Sequence, residues 1–479
     1  MPTFALRAPR VFESGFARIR AELEVPARFP DAVLAEADGA ADRIGPGGRL
    51  DARHLPLVAV DPPGTTDLDQ AFWAEATDTG YRVRYAIADV GAFIAPGGAI
   101  DIEARRRGTT LYSPDLRTPL HPPILSEGRA SLLAGTDKPA LLWTIALDDR
   151  AAPVDWTVER ALVRVDAAIS YARAQGAIAG HPGHGVDAEL VPLLGLLATI
   201  GRLREDREAE RGGVSINLPA QEIVEHGTSY GLDFAATLPV EGWNAQISLL
   251  TGIVAAHTMA DARIGVLRTL PPPDERAVGR LRRTADALSL AWPAEMTYAD
   301  FVRAMGPNSP ATNAFLLQAT RTLRGAGYVG FAGVVPERAE HGAIASVYAH
   351  VTAPLRRLVD RFGNEILLAV HAGVEPPAWA VEALDELPGL MGQARQRESR
   401  LERALLDYAE AVVLEGSVGQ RFVGHVVDVD ERRGDALIQI ADPAIVATVD
   451  GEGRSLAERL HLELTVADPA TRTIGFEVV

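Results

Sequence analysis

The chain has 479 residues, a formal net charge of -17 and no cysteine. This length allows about two to four domains around a large core, and the missing cysteines exclude disulfides, thiolate catalysis and cysteine-ligated metal sites. The acidic balance excludes a generally basic nucleic-acid-binding surface, so any such surface must be local. No apolar run approaches the roughly 20 residues that span a bilayer, and the N-terminus lacks a secretory pattern. We therefore expect a cytoplasmic protein without a membrane partner.

The first fifty residues are expected to be mainly helical. The clearest helical segments are 12–20 and 30–37, and their charges nearly cancel. We predict a small N-terminal module over residues 1–50, with a helix-turn-helix as one form that it could take. Packing on the next domain is the simpler role for so short a segment, and nucleic-acid binding is the alternative.

An acidic motif, D-P-P-G-T-T-D-L-D at 61–69, follows this module. Its acids are Asp61, Asp67 and Asp69. Carboxylates this close raise one another's pKa, so they remain charged together most easily when cations lie among them. Oxygen ligands of this kind suit Mg2+ or Mn2+. An isolated string of this type is more often a solvated loop, but an apolar run at 57–60 and an alternating run at 81–90 place it between two strands.

The remainder of the chain mixes helical and strand-like patterns, which is typical of the α+β class. Long helices are predicted at 239–265, 274–290 and 398–414. The last sixty residues instead predict short strands at 418–429, 436–440, 444–449 and 462–466. Short strands at this spacing indicate a small β-barrel.

Several motifs follow the acidic one in a fixed order. They are the segments 101–115, 120–127 and 130–135, then R-G-G-V at 211–214 with Leu218-Pro219, and Y-A-H-V-T-A-P-L-R-R-L-V-D at 348–360. Together they resemble the catalytic domain of the ribonuclease II family, from about residue 55 to about residue 416. The opening of the last segment, G-x-x-F-x-G-x-V at 419–426, is similar to an S1-type OB fold. We therefore predict an RNB catalytic domain at 51–416 and an S1-like OB barrel at 417–479.

The resemblance implies a metal-dependent hydrolase. Family members are exoribonucleases that degrade single-stranded RNA processively from the 3' end to nucleoside 5'-monophosphates and a short limit product. The resemblance further implies Mg2+, or Mn2+, in a two-ion mechanism, and a monomer. Two cold-shock barrels usually begin the larger members, and there is no room for them before Asp61.

The resemblance also assigns roles to individual residues. Asp61, Asp67 and Asp69 match the metal ligands, and Asp69 and Arg356 match the residues at the catalytic step. The residues that match RNA contacts are Tyr112, Arg356, Arg357, Glu402 and Phe422. Tyr112 would stack on bases near the 3' end without reading sequence. Arg357 would either contact RNA or pair with Asp360, and the sequence leaves both open.

Two positions depart from the family pattern. Gln70 stands where the family has a fourth aspartate, and Gln246 stands near the place of a family glutamate. An amide offers a neutral oxygen but no negative charge, so Gln70 is at most a weakened metal ligand. Two alternative functions remain: a catalytically weakened RNA-binding protein, and a phosphodiesterase that acts on short oligonucleotides or DNA. A metal-free hydrolase is disfavoured, since the chain has no G-x-S-x-G elbow.

Overall fold

The computed structural model describes residues 10–40, 48–216, 220–226, 229–235, 237–305, 309–430 and 433–479. The fold is of the predicted mixed α+β class. None of the helices in these ranges has the length and apolarity that crossing a bilayer requires. The predicted motif residues Leu218 and Pro219 lie outside the described residues.

Two helices form the described part of the N-terminal segment. They are α1 (Arg10–Glu22) and α2 (Asp31–Gly39). Phe12 and Phe16 of α1 approach the ring of Tyr408, with centroid distances of 6.4 and 5.5 Å. A Cβ on Gly15 would lie 2.0 Å from the Tyr408 ring, so this glycine permits the close approach. The helix α1 therefore packs on the body of the protein.

A six-stranded sheet forms the first part of the body. Its elements and those between them are β1 (Leu50–Asp51), β2 (Leu57–Asp61), β3 (Gln70–Thr77), β4 (Gly80–Ala88), α3 (Ala99–Arg107), β5 (Leu111–Tyr112), β6 (Arg117–Thr118), β7 (Asp137–Asp148) and β8 (Pro153–Ser170). The strand order is β1-β8-β2-β3-β4-β7, and β8 also pairs with β7. The sheet closes on itself, because the long strand β8 pairs with β2 on one side and with β7, the last strand in the order, on the other.

The strand β3 was not predicted. The acidic segment was expected to lead towards a strand at 81–90, but the chain returns earlier, and all of β3 pairs with β4 from Gln70 opposite Ile87 to Thr77 opposite Gly80. Pairing across the sheet thus determines a strand whose own pattern is weak. The acids still lie on a connection between two strands, namely β2 and β3.

The central region wraps helices and short hairpins around this sheet. Its elements are α4 (Tyr171–Ile178), α5 (Val191–Arg211), β9 (Ala220–His226), β10 (Ser229–Ala235), α6 (Pro239–Ala262), β11 (Ile264–Thr269), α7 (Glu275–Ala287), α8 (Tyr298–Arg303), α9 (Pro310–Ala319), β12 (Gly327–Ala332), β13 (Glu340–His341), β14 (Ser346–Val347), α10 (Leu358–His371), α11 (Ala378–Glu382) and α12 (Leu387–Leu414). The helix α12 begins eleven residues before the predicted start at 398, with Pro388 in its first turn, where proline is tolerated.

The C-terminal segment is an antiparallel five-stranded sheet. Its strands are β15 (Arg421–Asp430), β16 (Asp435–Ile440), β17 (Ile445–Asp450), β18 (Arg459–Asp468) and β19 (Thr473–Val478). The order β17-β16-β15-β18-β19 brings the outer strands β17 and β19 together, so the barrel is nearly closed. The first four strands match the prediction in number and order, whereas β19 was missed.

Candidate active site

The three predicted acids lie where β2 ends and β3 begins. Asp61 is the last residue of β2 and pairs with Ser170 at the end of β8. Gly64 takes a φ of +81° in the following turn, a conformation that favours glycine. Asp67 and Asp69 are buried, with 9% and 4% of their surface exposed. The glycine turn thus directs the chain back so that buried carboxylates follow an exposed bend.

Backbone and hydroxyl hydrogen bonds hold this connection in place. The Ser131 hydroxyl accepts from the Leu68 N–H at 2.9 Å and donates to the Thr66 carbonyl at 2.7 Å. The Asp69 carbonyl accepts from the Ala88 N–H at 2.9 Å. Because these bonds precede and follow each acid, the two buried carboxylates have little freedom to move apart.

The second motif meets the acids directly. The Asp69 Oδ1 accepts from the Leu355 N–H at 2.8 Å, and its Oδ2 lies 3.3 Å from Arg356 Nε. The two partners are 286 residues apart in sequence. The loop that contains Arg356 is itself fixed, because the Asp360 carboxylate accepts from the Ala353 N–H at 2.7 Å and a His121 ring nitrogen lies 3.3 Å from the Pro354 carbonyl oxygen.

Burial makes the acids hard to ionise. It raises the pKa of Asp61 to about 7, and the nearby Arg356 opposes this effect while Asp67 adds to it. Burial likewise raises the pKa of Asp69 to about 8, opposed by Arg356 and by the Leu355 N–H. The pKa of Asp67 is also raised by burial, and Arg117 opposes this. The site holds more potential negative charge than its two arginines neutralise.

This donor set offers the carboxylate oxygens that a hard divalent cation prefers, and their raised pKa values mean that added positive charge would favour the ionised forms. In the described residues, however, no three carboxylate or histidine side chains are grouped so that they could hold a metal ion. Asp67 forms an ion pair with Arg117, which also lies 2.9 Å from Glu127, and Asp69 faces Arg356. Bound Mg2+ or Mn2+ would therefore compete with these arginines for the carboxylates.

Gln70 contacts the second motif, not the carboxylates. Its Nε2 donates to the Thr352 carbonyl at 2.5 Å. The Thr352 hydroxyl in turn lies 2.8 Å from the Ser248 hydroxyl on α6. A carboxylate could not donate this bond. Gln70 thus ties β3 to the loop of Arg356, and its role as a weak metal ligand stays a prediction.

Gln246 likewise donates a hydrogen bond through its side-chain amide. Its Nε2 donates to Glu208 on α5 at 2.5 Å, and the other Glu208 oxygen accepts from Ser215 at 2.6 Å. Two residues earlier, the Asn244 amide donates to the Val60 carbonyl at 3.2 Å, immediately before Asp61. The helix α6 therefore touches the end of β2 through Asn244, which the sequence analysis did not select.

The predicted RNA contacts lie in different surroundings. Tyr112 is within electrostatic reach of Asp67, Arg356 and Asp69, and burial raises its pKa. Arg357 forms two hydrogen bonds with Asp360, at 2.9 and 2.7 Å, so the ion pair that the sequence allowed is present. Phe422 packs edge-on against Phe476, with ring centroids 5.7 Å apart, beside the barrel core. Its role in RNA binding stays a prediction.

Glu402 has a neighbour that the sequence analysis missed. Burial raises the pKa of both Glu402 and Glu398, and Glu398 raises that of Glu402 further. Arg356 and Arg395 lower the pKa of Glu398, so this residue lies within reach of the active-site arginine. The four-residue spacing on one helix could have revealed Glu398, because such residues share a face. Arg117, the partner of Asp67, had no comparable signal.

The geometry agrees with comparisons at the level of sequence families. Residues 49–372 match the model of the RNB domain, and residues 420–479 match that of the RNase II-type exonuclease C-terminal S1 domain. The chain belongs to the RNB-domain family. Ribonuclease R of Aquifex aeolicus is 24% identical over 95% of this chain and 69% of its own length. The mouse exosome complex exonuclease RRP44 is 28% identical over 68% of this RNB chain and 35% of its own length.

Solved structures show the same fold. Mycoplasma genitalium RNase R in complex with ribose methylated single-stranded RNA matches 99% of this RNB chain and 79% of its own, with a TM-score of 0.86 and 17% identity. Yeast Ssd1, described as a pseudonuclease, matches 98% of this chain and 58% of its own, with a TM-score of 0.69 and 15% identity. This fold thus occurs both in an RNase R and in a pseudonuclease.

Proposed function

We propose that this protein hydrolyses single-stranded RNA from the 3' end and releases nucleoside 5'-monophosphates, with Mg2+ or Mn2+ as cofactor. The observation that supports this most directly is the junction of the two motifs. It places the buried Asp69 against the Leu355 N–H and Arg356, beside Asp61 and Asp67. The names of the relatives, ribonuclease R and exosome complex exonuclease, support the same reaction.

The side chains divide the work of phosphodiester hydrolysis. Arg356, 38% exposed, offers a planar guanidinium that suits two phosphate oxygens, and it neutralises charge as this develops on them. Tyr112 is within electrostatic reach of Arg356, and we assign its ring to stacking on bases of any identity. Divalent cations among the aspartates would neutralise phosphate charge and activate the attacking water. The raised pKa values of Asp61 and Asp69 fall as cations bind, because positive charge favours the ionised carboxylate.

The test is a time course on 5'-labelled oligoadenylate RNA, with Mg2+ and with EDTA. Wild-type protein is compared with Asp69→Asn, and RNA with DNA of the same sequence. We expect stepwise shortening from the 3' end to a short limit product in wild type, and none with EDTA or in the variant. Release of 5'-monophosphates and retention of one RNA strand through many steps would establish the product and the processivity.

A second candidate is an RNA-binding protein without turnover. It is favoured by Gln70, which has no negative charge and whose amide donates a hydrogen bond to the Thr352 carbonyl. It is also favoured by the ion pairs that Asp67 and Asp69 make with arginines. The likeness to a pseudonuclease is in keeping with it. Undegraded RNA that binds wild type tightly in Mg2+ would favour this candidate. Efficient cleavage of DNA or of short oligonucleotides alone would instead indicate a general phosphodiesterase.

A further inference from the structure

Arg268 lies in a half-buried cluster next to the active-site loop. It belongs to β11 and lies opposite Tyr328 in the antiparallel pairing of β11 with β12. Its backbone N–H donates to the Tyr348 carbonyl at 2.8 Å, so the strand adjoins the second motif. The guanidinium carbon stands 4.6 Å from the centre of the Tyr328 ring. The Tyr328 hydroxyl lies 2.6 Å from His350 Nδ1. The Arg268 side chain therefore stacks on Tyr328, which in turn contacts His350 in the same motif as Arg356.

The charge of Arg268 has no acidic partner within the described ranges. Its guanidinium donates to the Gly327 carbonyl at 3.3 Å. Burial lowers the pKa of Arg268, the neighbouring Tyr328 opposes this effect, and the cations Arg395 and Arg357 lower the pKa further. Arg357 is already paired with Asp360. A half-buried cation among other cations is unfavourable unless an anion joins them.

We propose that Arg268, with Arg395 of α12 within electrostatic reach, forms a phosphate-binding subsite separate from that of Arg356. Guanidinium groups bind phosphate oxygens in a fork, and stacking on Tyr328 fixes the plane of this one. The ligand is a phosphate group, carried either by an internal phosphodiester of the RNA or by the released mononucleotide. Because His350 is within reach of Arg268, Arg356 and Arg357, the subsite is continuous with the active site. This inference rests on the proposed function.

The test compares the Arg268→Gln variant of the 479-residue chain with the wild type. The buffer contains EDTA, so that RNA is bound but not cleaved. The affinity for labelled oligoadenylate is measured by fluorescence anisotropy at several salt concentrations. Arg150→Gln serves as the matched control. Arg150 is exposed in the turn between β7 and β8, at the opposite end of β8 from Asp61. Loss of an RNA phosphate contact should weaken binding by about tenfold and reduce the salt slope by about 0.7.

A second arm identifies the source of the phosphate. Adenosine 5'-monophosphate is used to compete with labelled RNA for both proteins. Weaker competition by the mononucleotide in Arg268→Gln, with unchanged RNA affinity, would place the product phosphate at the subsite. Reduced RNA affinity with unchanged competition would place the RNA backbone there. Unchanged RNA affinity, salt slope and competition would overturn the proposal.

Two further variants guard against misfolding. Arg268→Lys retains the charge but not the planar fork, so the salt slope should stay as in wild type while affinity falls. If Arg268→Gln does not fold, Arg395→Gln on the exposed face of α12 should reduce the salt slope in its place, and an unchanged slope would count against the subsite. Wild-type protein that neither binds nor cleaves RNA would refute the proposed function itself, which is a distinct outcome.

Discussion

Replacing Asp69 by Asn should stabilise the metal-free protein near neutral pH. Burial raises the pKa of Asp69 from 3.8 to about 8. A carboxyl group whose pKa is raised by folding makes the folded protein less stable as the pH rises between the unfolded and the folded pKa. The reason is that the unfolded chain releases a proton that the folded chain keeps. At about pH 7 this difference amounts to about 4 kcal/mol, since each pKa unit is worth about 1.4 kcal/mol. Asparagine has no such penalty.

The replacement also retains the local structure. The asparagine Oδ1 still accepts from the Leu355 N–H, which Asp69 now binds at 2.8 Å. The amide nitrogen of the asparagine faces Arg356 Nε in place of the Asp69 Oδ2 and cannot accept a hydrogen bond from it. Loss of this bond to a charged group reduces the stabilisation by about 1 to 3 kcal/mol. The net gain of about 1 to 3 kcal/mol at about pH 7 corresponds to a rise in Tm of a few degrees. At about pH 5 the penalty shrinks to about 2 kcal/mol, so the advantage should disappear.

The assay is thermal unfolding by circular dichroism in EDTA at several pH values, repeated with Mg2+. The cation should raise the Tm of wild type most at high pH, because it binds only the folded carboxylates, and should raise that of Asp69→Asn less. Asp149→Asn, an exposed site in the β7–β8 turn, is the matched control for loss of one negative charge. An Asp69→Asn variant that melts below wild type in EDTA, with a deficit that grows as pH rises, would refute the reasoning.

Three other residues lead to sharp expectations. Gln70→Met removes the donor to the Thr352 carbonyl, so the free energy of unfolding should fall by about 1 to 3 kcal/mol and the RNA affinity in EDTA should fall as well. Gln70→Glu should not restore the RNA affinity, because a carboxylate cannot donate this hydrogen bond. An unchanged melting curve of Gln70→Met would contradict this expectation. Tyr112→Ala should weaken RNA binding by about 1 to 3 kcal/mol and Tyr112→Phe should not, as judged by anisotropy; equal losses would point to the hydroxyl instead. Glu398→Gln should lower the pKa of Glu402, since it removes a neighbouring negative charge, and an unchanged Glu402 pKa in a carboxyl NMR titration would show that the two residues do not interact.

The sequence by itself indicated the chemistry of the site and most of its elements. The acidic motif and the strand pattern after residue 417 are local features, because a glycine turn or an alternation of period two needs only neighbouring residues. The helices around Phe16 and Trp243 and four of the five barrel strands followed from such patterns. The loop with Arg356 was identified by its resemblance to a motif of the ribonuclease II family.

Only the tertiary structure decided how these parts combine. The bond from Leu355 to Asp69 and that from Gln70 to Thr352 join segments more than two hundred and eighty residues apart, and no local pattern determines such a distance. The strand β3 forms because β4 pairs with its whole length. Burial, which raises the pKa of Asp69, is a property of the packed chain, and so is the position of Arg268, which has no acidic partner among the described residues. The sequence supplied the reactive groups, and packing determined which of them meet and with what charge.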